Sequence, residues 1–331
     1  MQNPRNPRRH EPGPRRGRPY GTAALAPPDP TGRFGGPGYK VSDAPERRDG
    51  GTVTLSRRLG VVLAIAGYAA LAGCATPVTA PSSAVMVPPA PILPPPPIHA
   101  NGQVLWGIVN GKCVPDQRAS GRPDPCAEVA IGGGVDKGYA VLKDRVGISQ
   151  YLVMPTRLIT GIEDPQLLAP GATNYFDPAW RVRGLVDQRL GTTLTRDDVG
   201  IAVNSIYGRS QDLLHLHVDC LRVDVRGDLH RQLAVVGRRW SAPIMLAGHG
   251  YYALRIDGDD RVPIDPFGAL ADGLKVPPAE MGAWTLVLAG ATFTDGPGFV
   301  LLAARADPAA GYDGSGEDLQ DHQCAGHGAA G

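Results

Sequence analysis

Over residues 1–50 the chain is rich in Arg, Pro and Gly and shows neither helical nor alternating apolar spacing. Such a stretch buries too little surface to fold, so residues 1–55 are expected to be disordered. The pattern changes at Ser56-Arg57-Arg58, where two charges precede an uncharged run from Leu59 to Gly73. From Trp106 onward, short apolar runs alternate with polar turns. Tyr139–Leu142 reads as a strand and Tyr151–Met154 as its hairpin partner across a turn at Gly147. Residues 178–191 place Trp180, Val182, Leu185, Val186 and Leu190 at helical spacing, with Pro178 near the start. Strands return at 199–205 and 213–221. The expected fold class is α+β, an antiparallel sheet with flanking helices, in one domain over 101–331.

Composition adds exclusions. Lys and Arg total 33 against 32 Asp and Glu, and the net charge of +1 gives no electrostatic reason to expect a nucleic-acid partner. The run that starts at Ser56 has the layout of an export signal over 56–73, too short for a permanent membrane helix, which needs about 20 residues. It ends in Leu71-Ala72-Gly73-Cys74, which resembles the lipobox of bacterial lipoproteins and makes Cys74 the expected lipidation site. A start of translation near Val53 or Leu55 is the simplest account of a signal placed so far into the chain. Residues 75–98 contain nine prolines and favour an extended spacer, so 74–100 reads as a lipidated linker. The protein is expected on the extracytoplasmic face of a bacterial membrane, held by lipid. Of the five cysteines, four remain beside Cys74: Cys113, Cys126, Cys220 and Cys324. An even set in an oxidising compartment suggests disulfides, with Cys113–Cys126 and Cys220–Cys324 favoured among three connectivities.

The chemically dense segment is 211–221. At period two, Leu214, Leu216 and Val218 face one way and His215, His217 and Asp219 the other. Two chemistries use such a row. A neutral imidazole attacks phosphorus and carries a nucleotidyl group until water removes it. Alternatively, His-x-His-x-Asp binds a metal, although that pattern normally continues with another histidine where Cys220 stands.

The blocks Pro125–Val129, Gly138–Asp144, Gln150–Thr156, Ala202–Ser205, Gly208–Gln211, His215–Cys220, Asp224–Arg226, Gly248-His249 and Asp321–Cys324 together resemble the bacterial CDP-diacylglycerol pyrophosphatases, a branch of the histidine-triad superfamily. The resemblance implies hydrolysis of the membrane lipid CDP-diacylglycerol to CMP and phosphatidate through a histidine adduct, with no metal or organic cofactor. One departure stands out. A three-histidine register over 213, 215 and 217 begins with Leu213, and a register over 215, 217 and 219 ends with Asp219. The second makes His217 the nucleophile, with His215 as the alternative. The resemblance further offers Asn204 and Gln211 as phosphate or leaving-group contacts, Lys143 and Arg209 as balancing charges, and His249 and His322 as groups that approach the site. Residues 251–257 echo 139–144, and the apolar runs at Leu286 and Phe299 echo the strands around the histidines. A degenerate internal duplication with a single catalytic half is therefore expected.

Overall fold

The computed structural model describes residues 93–327. The signal segment and Cys74 lie outside the described residues. Among the described residues, no helix is long and apolar enough to cross a membrane.

The chain enters through α1 (Val104–Ile108), which continues through a wide turn, Val109–Cys113, into α2 (Val114–Ser120). There follow β1 (Glu128–Ala130), β2 (Tyr139–Lys143), β3 (Tyr151–Pro155), α3 (Phe176–Leu190), β4 (Val199–Val203) and β5 (Leu216–Cys220). The second half contains α4 (Val223–Gln232), β6 (Ile244–Leu246), β7 (His249–Asp257), α5 (Pro266–Gly273), β8 (Trp284–Phe293) and β9 (Gly296–Arg305). The nine strands form one antiparallel sheet in the order β1-β2-β3-β5-β4-β8-β9-β7-β6. This is the α+β class expected from the pattern.

The expected elements fall close to their places. The 139/151 hairpin pairs Tyr139 with Pro155 and Lys143 with Tyr151, and Gly147 adopts φ +71 in the turn between them. The helix starts two residues before Pro178, because Asn174 Oδ1 accepts the Phe176 N–H at 3.1 Å, and it ends where Gly191 turns left-handed at φ +69. The last expected strand is shorter than its pattern. Pairing begins at Leu216, so His215 sits just ahead of β5 on the incoming loop.

Both faces of the sheet are covered. On one, Val141, Val153, Leu216, Val218, Ile201, Leu288 and Leu301 pack under α3 and α5, whose Trp180, Val186, Phe267 and Leu270 are buried. Trp180 meets Phe299 edge-on at 4.9 Å between ring centroids. On the other face, α1 and α2 cover Ala140, Leu142, Leu152 and Met154, while α4 and the chain after β9 cover Ala202, Val287 and Leu302.

The strand order has a regularity. Strands β2 to β5 run β2-β3-β5-β4 with α3 between the second and third in sequence, and β6 to β9 run β6-β7-β9-β8 with α5 in the same place. The two sets meet at the antiparallel β4–β8 pair, which joins Ala202 to Val287. By this order 249–257 takes the place of 151–155 rather than of 139–144, and β8 and β9 take those of β4 and β5. On β9, the residues that share the histidine face are Val300, Leu302 and Ala304.

Disulfides join Cys113 to Cys126 and Cys220 to Cys324. The first clasps the end of the wide turn before α2 to the loop before β1, and the second ties the C-terminal segment to the end of β5. Their sequence separations are 13 and 104 residues. A cross-link restricts the unfolded chain more when it closes a longer loop: about 3 kcal/mol for a short loop and about 4 to 5 for one of a hundred residues. Replacing Cys220 and Cys324 by Ser should therefore lower the urea midpoint more than replacing Cys113 and Cys126. Equal midpoints for the two double variants would contradict this.

Candidate active site

The site is built on β5, which is buried along its whole length between β3 and β4. A strand buried on both faces normally carries apolar residues throughout, yet His217 and Asp219 here alternate with Leu216 and Val218. His217 lies opposite Leu152 of β3 and Ala202 of β4. Small or apolar neighbours on both sides leave room above the strand for polar groups delivered by loops.

The two imidazoles lie edge to face with ring centroids 4.8 Å apart. Burial holds both far below the usual histidine range, to about 4, and the neighbouring His217 charge depresses His215 further. Both rings are thus neutral near pH 7. His215 Nδ1 lies 2.6 Å from the carbonyl of Leu213, and because a carbonyl only accepts, Nδ1 carries the proton and Nε2 keeps its lone pair. His217 Nδ1 sits 2.9 Å from Gln150 Nε2, which as an amide N–H donates to it. When Nδ1 accepts from Gln150 rather than donating to Glu317 Oε2 at 3.1 Å, Nε2 carries the hydrogen, and this atom is completely buried with no partner among the described residues. An unpaired buried N–H is costly unless a ligand supplies the acceptor. Among the described residues His215 Nε2 has no hydrogen-bond partner either, but it is not fully buried.

A second tier of polar groups comes from the C-terminal segment. Gly316 lies directly on the sheet, where a Cβ would come within 2.8 Å of Thr285 Oγ1 and 3.1 Å of Ala202 Cβ. Only glycine permits this approach without displacing its neighbours. It places Glu317 over the histidines. Glu317 Oε2 lies 3.1 Å from both Gln150 Nε2 and His217 Nδ1, and Oε1 accepts from Asn204 Nδ2 at 2.7 Å. Asn204 Oδ1 in turn accepts the Gly316 N–H at 2.9 Å. Further along, Gln320 Nε2 donates to the carbonyls of His217 and Gly200 at 3.0 and 2.9 Å. His322 Nδ1 meets Asp219 Oδ2 at 2.9 Å, and Ser149 Oγ donates to Asp219 Oδ1 at 3.2 Å. Burial pushes Asp219 up and the bond from His322 pulls it back, while the same bond holds His322 above its usual value.

Of the residues singled out in the sequence, the structure gathers His215, His217, Asp219, Asn204 and His322. Asn204 spends both ends of its amide on Gly316 and Glu317. Gln211 accepts from the Leu105 N–H at 3.1 Å and so anchors the start of α1. Arg209 is buried and doubly paired with Glu163 at 2.6 and 2.7 Å; its charge still helps to depress His215. Lys143 pairs in register with Tyr151, opposite Val218, which puts it on the face away from His217; its ammonium donates to the carbonyls of Asp144 and Gly147. His249 stacks on Tyr312 at 4.0 Å, on a strand four places from β5 and so about 19 Å away across the sheet. Glu317 and Gln150 were not singled out. Gln150 does stand inside one of the quoted blocks, but nothing in the local pattern marks an acid a hundred residues downstream as a neighbour of His217.

For a metal, the candidate donor set among the described residues is Asp219, Cys220 and Cys324. The two sulfurs are bonded to each other, and a disulfide offers no thiolate, so this set does not suit a metal. His215, His217 and Asp219 do not bring their donor atoms together as a set.

A covered antiparallel sheet with two neutral imidazoles at the start of a central strand suits chemistry at phosphorus. The family model for CDP-diacylglycerol pyrophosphatase matches residues 100–327. The CDP-diacylglycerol pyrophosphatase of Yersinia pestis is 38% identical over 226 residues, 68% of this chain and 85% of that protein. The chain belongs to the CDP-diacylglycerol pyrophosphatase family, as the motif blocks implied.

The neutral pair makes stability depend on pH. The unfolded chain takes up protons on these histidines below pH 6.5, whereas the folded chain resists until about pH 4, so acid favours the unfolded state between these values. The denaturant midpoint should fall from pH 7 to pH 5 by more in the native chain than in the His215→Asn, His217→Asn double variant. Equal slopes would show that the imidazoles are not held neutral.

Proposed function

We propose that the protein hydrolyses CDP-diacylglycerol to CMP and phosphatidate through a histidine-bound nucleotidyl intermediate, as in histidine-triad enzymes. The observation that carries the mechanism is the fixed tautomer of His215 beside the buried, unpaired Nε2 of His217. In this reading His215 Nε2 attacks the phosphorus next to cytidine. The N–P bond forms as the anhydride P–O bond breaks, and its electron pair leaves on phosphatidate. Water then forms the new P–O bond, the N–P bond breaks, and CMP departs with the water's proton lost to solvent. The His217 N–H donates to a non-bridging phosphoryl oxygen and stabilises the charge that develops there. This order reverses the sequence expectation, which ranked His217 ahead of His215.

Membrane attachment through Cys74, with the proline-rich linker as spacer, would bring the domain to a lipid substrate on the extracytoplasmic face. The recurrence of strand order in the two halves supports an internal duplication in which only the first copy kept its histidines. The apolar Val300, Leu302 and Ala304 on the corresponding face of β9 agree with a second copy that has lost its chemistry.

Incubation of the purified protein with CDP-diacylglycerol labelled in the cytidine-linked phosphate should give CMP at an undiminished rate with chelator present. Acid-labile label should appear on His215 by peptide mass spectrometry. His215→Ala should lose both adduct and product, and His217→Ala should slow turnover at least a hundredfold, in line with loss of an oxyanion donor of about 3 kcal/mol. Label on His217 would restore the original order, and activity abolished by chelator would favour the metal reading.

A further inference from the structure

Six polar residues, Asp219, His322, Glu317, Asn204, Gln150 and His217, form a connected network in which the His322 ring faces a carboxylate on each side. His322 Nδ1 faces Asp219 Oδ2 at 2.9 Å and its Nε2 faces Glu317 Oε2 at 3.5 Å. The first contact is a hydrogen bond and the second an ion-pair distance, and a carboxylate on each side favours the doubly protonated ring. Glu317 then accepts from Gln150 and from Asn204, and Gln150 donates its remaining amide hydrogen to His217 Nδ1. The state of His322, half-buried beside the site, thereby reaches the buried ring that is proposed to hold the phosphoryl oxygen.

The position of His322 is itself fixed. The Cys220–Cys324 disulfide holds the chain two residues away, Asp321 N donates to the Cys220 carbonyl at 2.9 Å, and Ile148 N donates to the His322 carbonyl at 2.9 Å. The charged groups around the ring are Asp219 from β5, Glu317 from the C-terminal turn, and Asp144 from the β2–β3 turn. The nearby ammonium of Lys143 is tied to the carbonyls of that same turn. Carboxylates thus dominate the surroundings of His322, and they favour its charged form.

We propose that His322 is a positioning residue for the reaction. As an imidazolium bridging Asp219 and Glu317, it holds Glu317 and Gln150 in the arrangement that keeps hydrogen on His217 Nε2. When His322 loses its proton, one of the two bridges opens. Glu317 Oε2, already 3.1 Å from His217 Nδ1, then meets no competing charge and takes the Nδ1 hydrogen of the other His217 tautomer, and the donor toward phosphate is lost. The bridge is intact at and below neutral pH and fails as pH rises through the elevated titration point of His322. The effect on turnover rests on the hydrolytic reading given above; the effect on the His217 tautomer does not.

The test uses the full chain in detergent, labelled with 15N at histidine, as native protein and as His322→Gln and His322→Arg. In the native protein the rate should show an alkaline limb. His322→Gln should lower kcat about 10- to 100-fold with little change in KM, the cost of one charge-assisted hydrogen bond, and should abolish the limb. His322→Arg keeps charge and two donors at every accessible pH, so it should retain more activity than the Gln variant and also lack the limb. Imidazole 15N shifts should show His217 protonated at Nε2 in the native and Arg proteins but not in the Gln variant. An alkaline limb that persists in both variants, or a His217 tautomer that ignores the substitution, overturns the proposal. A native protein inactive on CDP-diacylglycerol whose His217 tautomer still follows residue 322 would sink the hydrolytic reading and leave the bridge standing.

Discussion

The site depends on placing ionisable side chains on a strand that is buried on both faces. Water cannot solvate a charge on His215 or His217 there, so both imidazoles stay neutral, and the strand tolerates them only because neighbouring loops supply hydrogen-bond partners. The rest of the architecture around the strand serves this need. Ala202 and Leu152 flank it without competing polar groups, the β2–β3 turn brings Ser149 and Gln150, and the C-terminal segment brings Glu317, Gln320 and His322.

The C-terminal segment is therefore part of the site rather than a tail. It has little regular structure of its own beyond a short 3-10 turn at Gly316–Leu319, so its position rests on discrete ties. One is covalent, through Cys324. Others are the Leu221–Gln320 bridge, the Asn204–Gly316 hydrogen bond and the close seat of Gly316 against Thr285 and Ala202. These ties act on the same few residues of β4 and β5 that support the histidines. A disturbance at the disulfide would accordingly reach the imidazoles through Glu317 as well as through overall stability.

The two halves of the sheet divide the labour. Both follow the same order of strands around one helix, yet on the same covered face β5 carries polar residues and β9 apolar ones. The second half completes the sheet, shields β4 along its far edge and carries the chain onward to the segment that returns over the histidines. His249 illustrates the difference: it stands on the same side of the sheet but four strands away, stacked on a tyrosine.

Much was legible in the sequence because it depends on local spacing. The alternation Leu216-His217-Val218-Asp219 told which side chains of β5 share a face, and the 139/151 hairpin and the helix from Phe176 to Leu190 followed from periodicity and turn residues. The cysteine count, read with the expected export, pointed to two disulfides, and the pairing favoured among three is the one the structure contains. Burial, tautomer and partner are set by residues far apart in the chain, and those only tertiary structure decided. Period two cannot say that pairing starts at Leu216, that Lys143 leaves on the opposite face, or that Arg209 is already neutralised by Glu163. Nor can it bring Glu317 to His217 across a hundred residues. That contact comes from the fold of the returning segment, where a glycine without a side chain lets the backbone settle onto the sheet.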